Sequence, residues 1–209
     1  KSTLVKMIYG VTAPTHGQIL WDGAPAVIRS PAMARELGIG MVFQDFALFE
    51  SLRVVENVAL ALPKRESHRV LAERIQKVSE RYGLPIDPEK PVGSLSVGER
   101  QRVEIVRSLL QTPRLLIMDE PTSVLAPQAV ERLFETLRQI AADGCSVLYI
   151  SHKLHEIRTL CDRATVLRHG RVTGTCTPAE ESVGNLARMM IGQALPVVNR
   201  PPSQVAEIA

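Results

Sequence analysis

The sequence predicts an α/β fold built on a parallel sheet and interrupted by an inserted helical stretch. Three observations carry this. Leu115–Met118 and Ser146–Ile150 are short, largely apolar runs, as expected of strands buried in a parallel sheet. Stretches of helical period lie between and after them, so strand and helix alternate. From about residue 50 to 113 the apolar residues keep helical spacing, with no strand run among them.

Each element has its own signal. Lys1 to Ile8 reads as a helix entered in mid-motif, so the sequence is taken as a fragment whose N-terminus lies upstream. Gly17–Gly23 alternates between glycines and predicts a strand and turn. Gly38–Gln44 is a short apolar run ending on a polar residue, a second strand. Val54, Val55, Val58 and Leu62, then Leu71, Ile75 and Val78, recur at helical spacing until Pro85, Pro88 and Pro91 break the pattern. A helix from Val97 to Leu110 is closed by Pro113. Pro127–Ala142 is amphipathic, with proline at the first position, where its missing N–H costs little. Leu154–Leu160 is helical. Ala164–Leu167 and Arg171–Thr175 flank His169-Gly170 and predict a hairpin, and 179–192 a last helix. Residues 196–209 hold three prolines and no apolar period, and are read as a tail or linker.

Composition narrows the functional classes. With 209 residues and 45% hydrophobic content the chain can fill a core, which excludes disorder as its main state. The 25 basic and 22 acidic residues leave a net charge of +3, too balanced for a dedicated nucleic-acid binder. No apolar run is long enough to cross a bilayer, so a membrane role comes through a partner. Cys145, Cys161 and Cys176 are odd in number and unrelated in spacing, which points to free thiols in a reducing compartment.

Three stretches carry chemistry. Lys1-Ser2-Thr3 opens a helix and matches the end of a phosphate-binding loop, G-x-x-x-x-G-K-[ST], in which Lys reaches phosphate and the hydroxyl takes Mg²⁺. The glycines are lacking, and a plain helix N-cap gives the same triplet. Asp119-Glu120 ends a buried strand, where α/β proteins bind ligands. Asp119 there can hold Mg²⁺ and Glu120 can orient or deprotonate a water; a solvated acidic turn is the other reading. Leu95-Ser96-Val97-Gly98-Glu99 places a hydroxyl and free amides at a helix start. The same residues make a capping box, and both readings hold at once.

With Asp119 and Glu120 lying 23 and 24 residues after Ser96, the pattern resembles the ATP-binding cassette (ABC) ATPase family. Ser96–Glu99 stands at the signature, Ser151-His152 at the switch histidine, Gln44 at the Q-loop glutamine and Ser123–Ala126 at the D-loop, all in the family's order. The resemblance covers 1–195. It implies a P-loop NTPase (RecA-like) core with a parallel sheet and an inserted helical subdomain at about 47–113, truncated at the phosphate-loop lysine, with 196–209 leading to a second cassette.

The resemblance also implies roles. ATP and Mg²⁺ would be the ligands. Lys1, Ser2 and Thr3 would contact phosphate, with Ser2, Gln44 and Asp119 serving Mg²⁺. Glu120 would serve the attacking water, Gln44 the Mg²⁺ or water, and His152 the γ-phosphate, as positioning and charge stabilisation. Ser96, Val97, Gly98 and Glu99 would bind ATP held by a partner cassette. Four departures stand out: the absent upstream glycines and adenine-stacking aromatic, Val97 for the first signature glycine, Glu99 for the usual glutamine, and Ala126 for the D-loop aspartate. The isolated fragment is therefore expected to be incompetent as an ATPase.

Leu95–Gly98, Arg102–Ile105, Tyr149–Ile157 and Met189–Gly192 resemble importers of simple sugars and nucleosides, the nucleoside type being closer. Implied partners are a second cassette fused on the same chain, integral-membrane permease subunits and, indirectly, an extracytoplasmic solute-binding protein, at the cytoplasmic face of the membrane, without nucleic acid. The competing readings are a non-catalytic cassette of a fused pair and a soluble non-transport ABC ATPase. His152 and His155 form an H-x-x-H pair, read as a solvated helix face rather than a metal site. His16, His68 and His169 are placed in loops, and Trp21 in the core.

Overall fold

The computed structural model describes residues 1–63 and 66–191 and divides the chain into two compact units, Lys1–His152 and a second beginning at Lys153. The first contains α1 (Ser2–Ile8), β1 (Ile19–Trp21), β2 (Ala24–Ala26), α2 (Pro31–Glu36), β3 (Ile39–Val42), α3 (Val54–Ala59), α4 (His68–Arg81), α5 (Val97–Leu109), β4 (Leu115–Asp119), α6 (Pro127–Ala142) and β5 (Ser146–Ile150).

Its centre is a three-stranded parallel sheet in the order β3-β4-β5. Ile39 pairs with Leu115 and Val42 with Met118 on one side; Leu115 pairs with Ser146 and Asp119 with Ile150 on the other. Leu116, Ile117 and Met118 are fully buried, as the apolar run predicts. β5 is an edge strand within this sheet and only half-buried, which corrects the reading of it as a strand buried like β4. Val5, Tyr9, Ile28, Ala34, Ile39, Met41, Ile117 and Ile150 form one core cluster. Tyr9 meets Phe43 edge-to-face at 5.7 Å.

Several details differ from expectation. The Gly17–Gly23 segment continues into β2, making an antiparallel hairpin. α2 is an additional helix, capped by Ser30, whose hydroxyl accepts from Met33 N, with Pro31 at the first position. Trp21 is partly rather than fully buried; it packs on the rim of the core with Arg114 stacked over its ring. His68 opens α4 instead of lying in a loop. Gly10 must be glycine: its φ is +74° and a Cβ would stand 2.6 Å from Ser30 O.

The stretch between β3 and β4 is helical, with a 3₁₀ turn at Val92–Ser94 between α4 and α5. Val54, Val55, Val58, Ile75, Val92, Val103 and Val106 are all at 0% exposure; the three helices pack on one another and α5 also packs on β3. The only strand-like pairing there, among the described residues, is the isolated bridge between Arg53 and Pro91.

The second unit holds α7 (Leu154–Leu160), β6 (Ala164–Arg168), β7 (Arg171–Cys176) and α8 (Val183–Ile191). β6 and β7 form the expected hairpin. Its turn residues His169 and Gly170 both have positive φ, the twist that suits a two-residue connection. Thr173 Oγ1 donates to Met189 O and Leu186 is buried, which docks α8 on the hairpin. Residues 192–209, including the expected tail, lie outside the described residues.

Ile117→Ala removes a fully buried side chain from the central strand. It is expected to destabilise the protein by about 2–5 kcal/mol, read from urea unfolding midpoints.

Candidate functional site

The carboxyl ends of β4 and β5 place the acidic and basic groups together. Asp119 is the last residue of β4 and is buried, 4% exposed. Its Oδ1 has no hydrogen-bond partner among the described residues. A buried anionic oxygen left free is the donor that a hard divalent cation takes, so the residue fits Mg²⁺.

Glu120 follows in a left-handed conformation, φ +47°, with its N–H donating to Ile150 O at 3.0 Å. That turn directs the carboxylate toward the next strand, where His152 Nδ1 lies 3.0 Å from Glu120 Oε1. The carboxylate only accepts, so Nδ1 carries the proton and Nε2 remains available for another group. Lys1 Nζ donates to Ser151 O at 2.9 Å, which brings the ammonium beside the same strand end. Asp119, Glu120 and His152 are thus gathered by the register of two strands, and Lys1 reaches the same strand end from the start of α1. Ser2 and Thr3 start α1, which lacks a side-chain cap. Gln44 is exposed two residues beyond β3.

The Ser96–Glu99 segment begins α5 and forms the capping box in full. Ser96 N and Oγ both donate to Glu99 Oε2, at 2.9 and 2.8 Å, and Glu99 N donates to Ser96 Oγ. These bonds from Ser96, with Lys90 and Arg102 nearby, hold the Glu99 carboxyl below the usual carboxylate value. Val97 is exposed and Gly98 faces Leu125, with 3.8 Å between a Cβ there and Leu125 Cδ2. The start of α5 is therefore near the 123–126 loop. Gln101 Nε2, buried, donates to Pro121 O at 2.7 Å and ties α5 to the turn that follows Glu120. That tie, and the contact of Lys1 with Ser151 O, carry no sequence signal, because their partners are 20 and 150 residues apart.

The depressed Glu99 value sets a pH dependence. A carboxyl whose folded value is lowered adds stability above its unfolded value, about 4.3, and loses it as pH falls through the folded value. The protein is expected to be more stable than its Glu99→Gln variant at pH 7, with the gap closing below about pH 4 in thermal unfolding.

Comparison with known proteins matches residues 1–123 to the family described as ABC transporter. The ribose import ATP-binding protein RbsA 3 of Rubrobacter xylanophilus is 40% identical over 213 residues, covering 100% of this chain and 43% of that protein. The nucleoside import ATP-binding protein NupA of Lactococcus lactis subsp. cremoris is 35% identical over 217 residues, with the same coverage. The chain spans less than half the length of these curated relatives. Among solved structures, cbiO1 from Clostridium perfringens, part of the cbiONQ transporter complex, superposes with a TM-score of 0.73 at 30% identity, covering 91% of this chain and 76% of that one. The ADP conformation of the cassette MJ1267 gives 0.78 at 25% identity, covering 92% and 84%.

Proposed function

The chain belongs to the ABC transporter family, and from that membership we propose that it is the ATP-hydrolysing cassette of an importer of a small polar solute. The observation that carries the reading is the gathering of Lys1, Asp119, Glu120 and His152 at two adjacent strand ends. In this reading Lys1, Ser2 and Thr3 bind the phosphates of ATP. Ser2, Gln44 and Asp119 hold Mg²⁺, which when bound neutralises phosphate charge. Glu120 orients the attacking water and accepts its proton, and His152, held by its Nδ1, turns Nε2 toward the γ-phosphoryl group. Catalysis is positioning and charge stabilisation rather than covalent chemistry.

Ser96, Val97, Gly98 and Glu99 serve the nucleotide of a second cassette, fused on the same full chain in this reading, which the greater length of the relatives supports. Integral-membrane permease subunits take up the work, with a solute-binding protein acting on the far side. The cassette then sits at the cytoplasmic face of the membrane; none of its described helices is long and apolar enough to cross one. The solute class, a nucleoside or simple sugar, rests on the relatives' import roles. Those same roles weigh against a soluble non-transport ATPase.

One observation favours a second reading, a cassette that binds without turning over. Ser96 Oγ already donates to the Glu99 carboxylate, so an incoming phosphate must displace an anion of the chain itself.

The discriminating experiment uses the full-length protein in its permease complex. Glu120→Gln is expected to lower ATP turnover by about 100-fold or more while ATP binding is retained. Unchanged turnover would assign this cassette the non-catalytic role.

A further inference from the structure

The loop that carries Gln44 is held at one residue by two buried or half-buried charged side chains of α5. Ala47 N donates to Glu104 Oε1 at 2.9 Å, and Arg107 Nη1 donates to Ala47 O at 2.9 Å. The N–H and the C=O of Ala47, on two successive peptides, are therefore both taken by one turn of one helix. Arg107 Nη2 also donates to Glu104 Oε2, so the two side chains close a ring with the Ala47 backbone. The Glu104 side chain is 1% exposed and that of Arg107 is 16%.

A charged pair this buried is a poor source of stability, because apolar residues of similar size commonly serve as well. Burial holds the Glu104 carboxyl above the usual carboxylate value, and Arg107 and the Ala47 N–H offset that only in part. What the pair supplies instead is geometry: two directional bonds on a loop that has no regular structure of its own. Other contacts grip neighbouring positions. Asn57, buried on α3, accepts from Phe49 N and donates to Phe49 O. Arg100 of α5 pairs with Glu50 at 2.5 Å. Ala47 is the gripped residue nearest Gln44, three positions away, and α5 is the helix that begins at Ser96.

We infer that Glu104 and Arg107 are positioning residues for hydrolysis, fixing the backbone behind Gln44 and tying it to the helix that presents Ser96. A displacement of Gln44 is passed to α5 through the backbone of one residue, and the start of α5 is in turn tied to the turn after Glu120 by Gln101. The inference rests on the hydrolytic role proposed above.

The test uses the full-length protein in its permease complex. Glu104→Met removes the acceptor for Ala47 N–H at similar volume, whereas Glu104→Gln keeps an acceptor oxygen. Glu104→Met is expected to lower kcat for ATP about tenfold or more with KM within about twofold, and Glu104→Gln to restore most of the loss. Arg107→Met, at a less buried position, is expected to act in the same direction and serves if Glu104→Met does not fold. In a Gln44→Ala background neither Met substitution should lower kcat further, because the loss is already taken. Losses that simply multiply with Gln44→Ala, or Gln as damaging as Met at position 104, would overturn the inference and assign the pair a structural role. An unsubstituted complex that does not hydrolyse ATP would instead overturn the proposed function, and the inference with it.

Discussion

Everything at the site hangs on the pairing of β4 with its two neighbours. The strand is apolar up to Asp119 and buried from Leu116 onward, and its pairing on both sides fixes which way each side chain faces. A one-residue slip would turn every side chain to the opposite face. The register that pairs Asp119 with Ile150 puts a carboxylate and the start of the 151–152 segment side by side. Glu120, in its left-handed conformation, completes the arrangement with an N–H bond to Ile150 O. Nothing else in the unit needs to be placed independently for Glu120 to meet His152.

The helical stretch between β3 and β4 is anchored to this frame at two points. Gln101 holds the turn after Glu120, while Glu104 and Arg107 hold the loop after β3. These side chains lie on successive turns of α5. A helix that begins with Ser96 thus touches both the segment that carries Gln44 and the segment that follows the acidic pair. The capping box at its start fixes where that helix begins, since Ser96 and Glu99 satisfy each other's backbone amides.

Much of this was legible in the sequence because the signals are local. Pro127 at a helix start and the apolar run after Cys145 give α6 and β5 their bounds, and the LHEIRTL period gives α7. Asp119, Glu120 and His152 were legible from motif order, and the structure brings them to adjacent strand ends. The short elements were not. α2 has six residues, too few for a period, although Ser30-Pro31 was a usable start signal. β2 is three residues with a proline, which hides it from any alternation test. The partial exposure of β5 depends on which strands flank it, a property of topology that no window of residues carries. Glu104 reads as a polar interruption in an apolar helix face; only the approach of Ala47, 57 residues away, gives it a partner.

The placement of the helical stretch between two adjacent strands also orders how the sheet can assemble. β4 and β5 join residues 115 and 146, whereas β3 and β4 join residues 39 and 115, a loop more than twice as long. Each doubling of a closing loop costs only about 0.6 kcal/mol in chain entropy, but that cost falls before the pairing rewards it. Loop entropy therefore favours closing the β4–α6–β5 unit over joining β3 to β4, and collapse of α3, α4 and α5 shortens the longer gap. On a ribosome, where β3 emerges first, the strand waits unpaired until β4 is made.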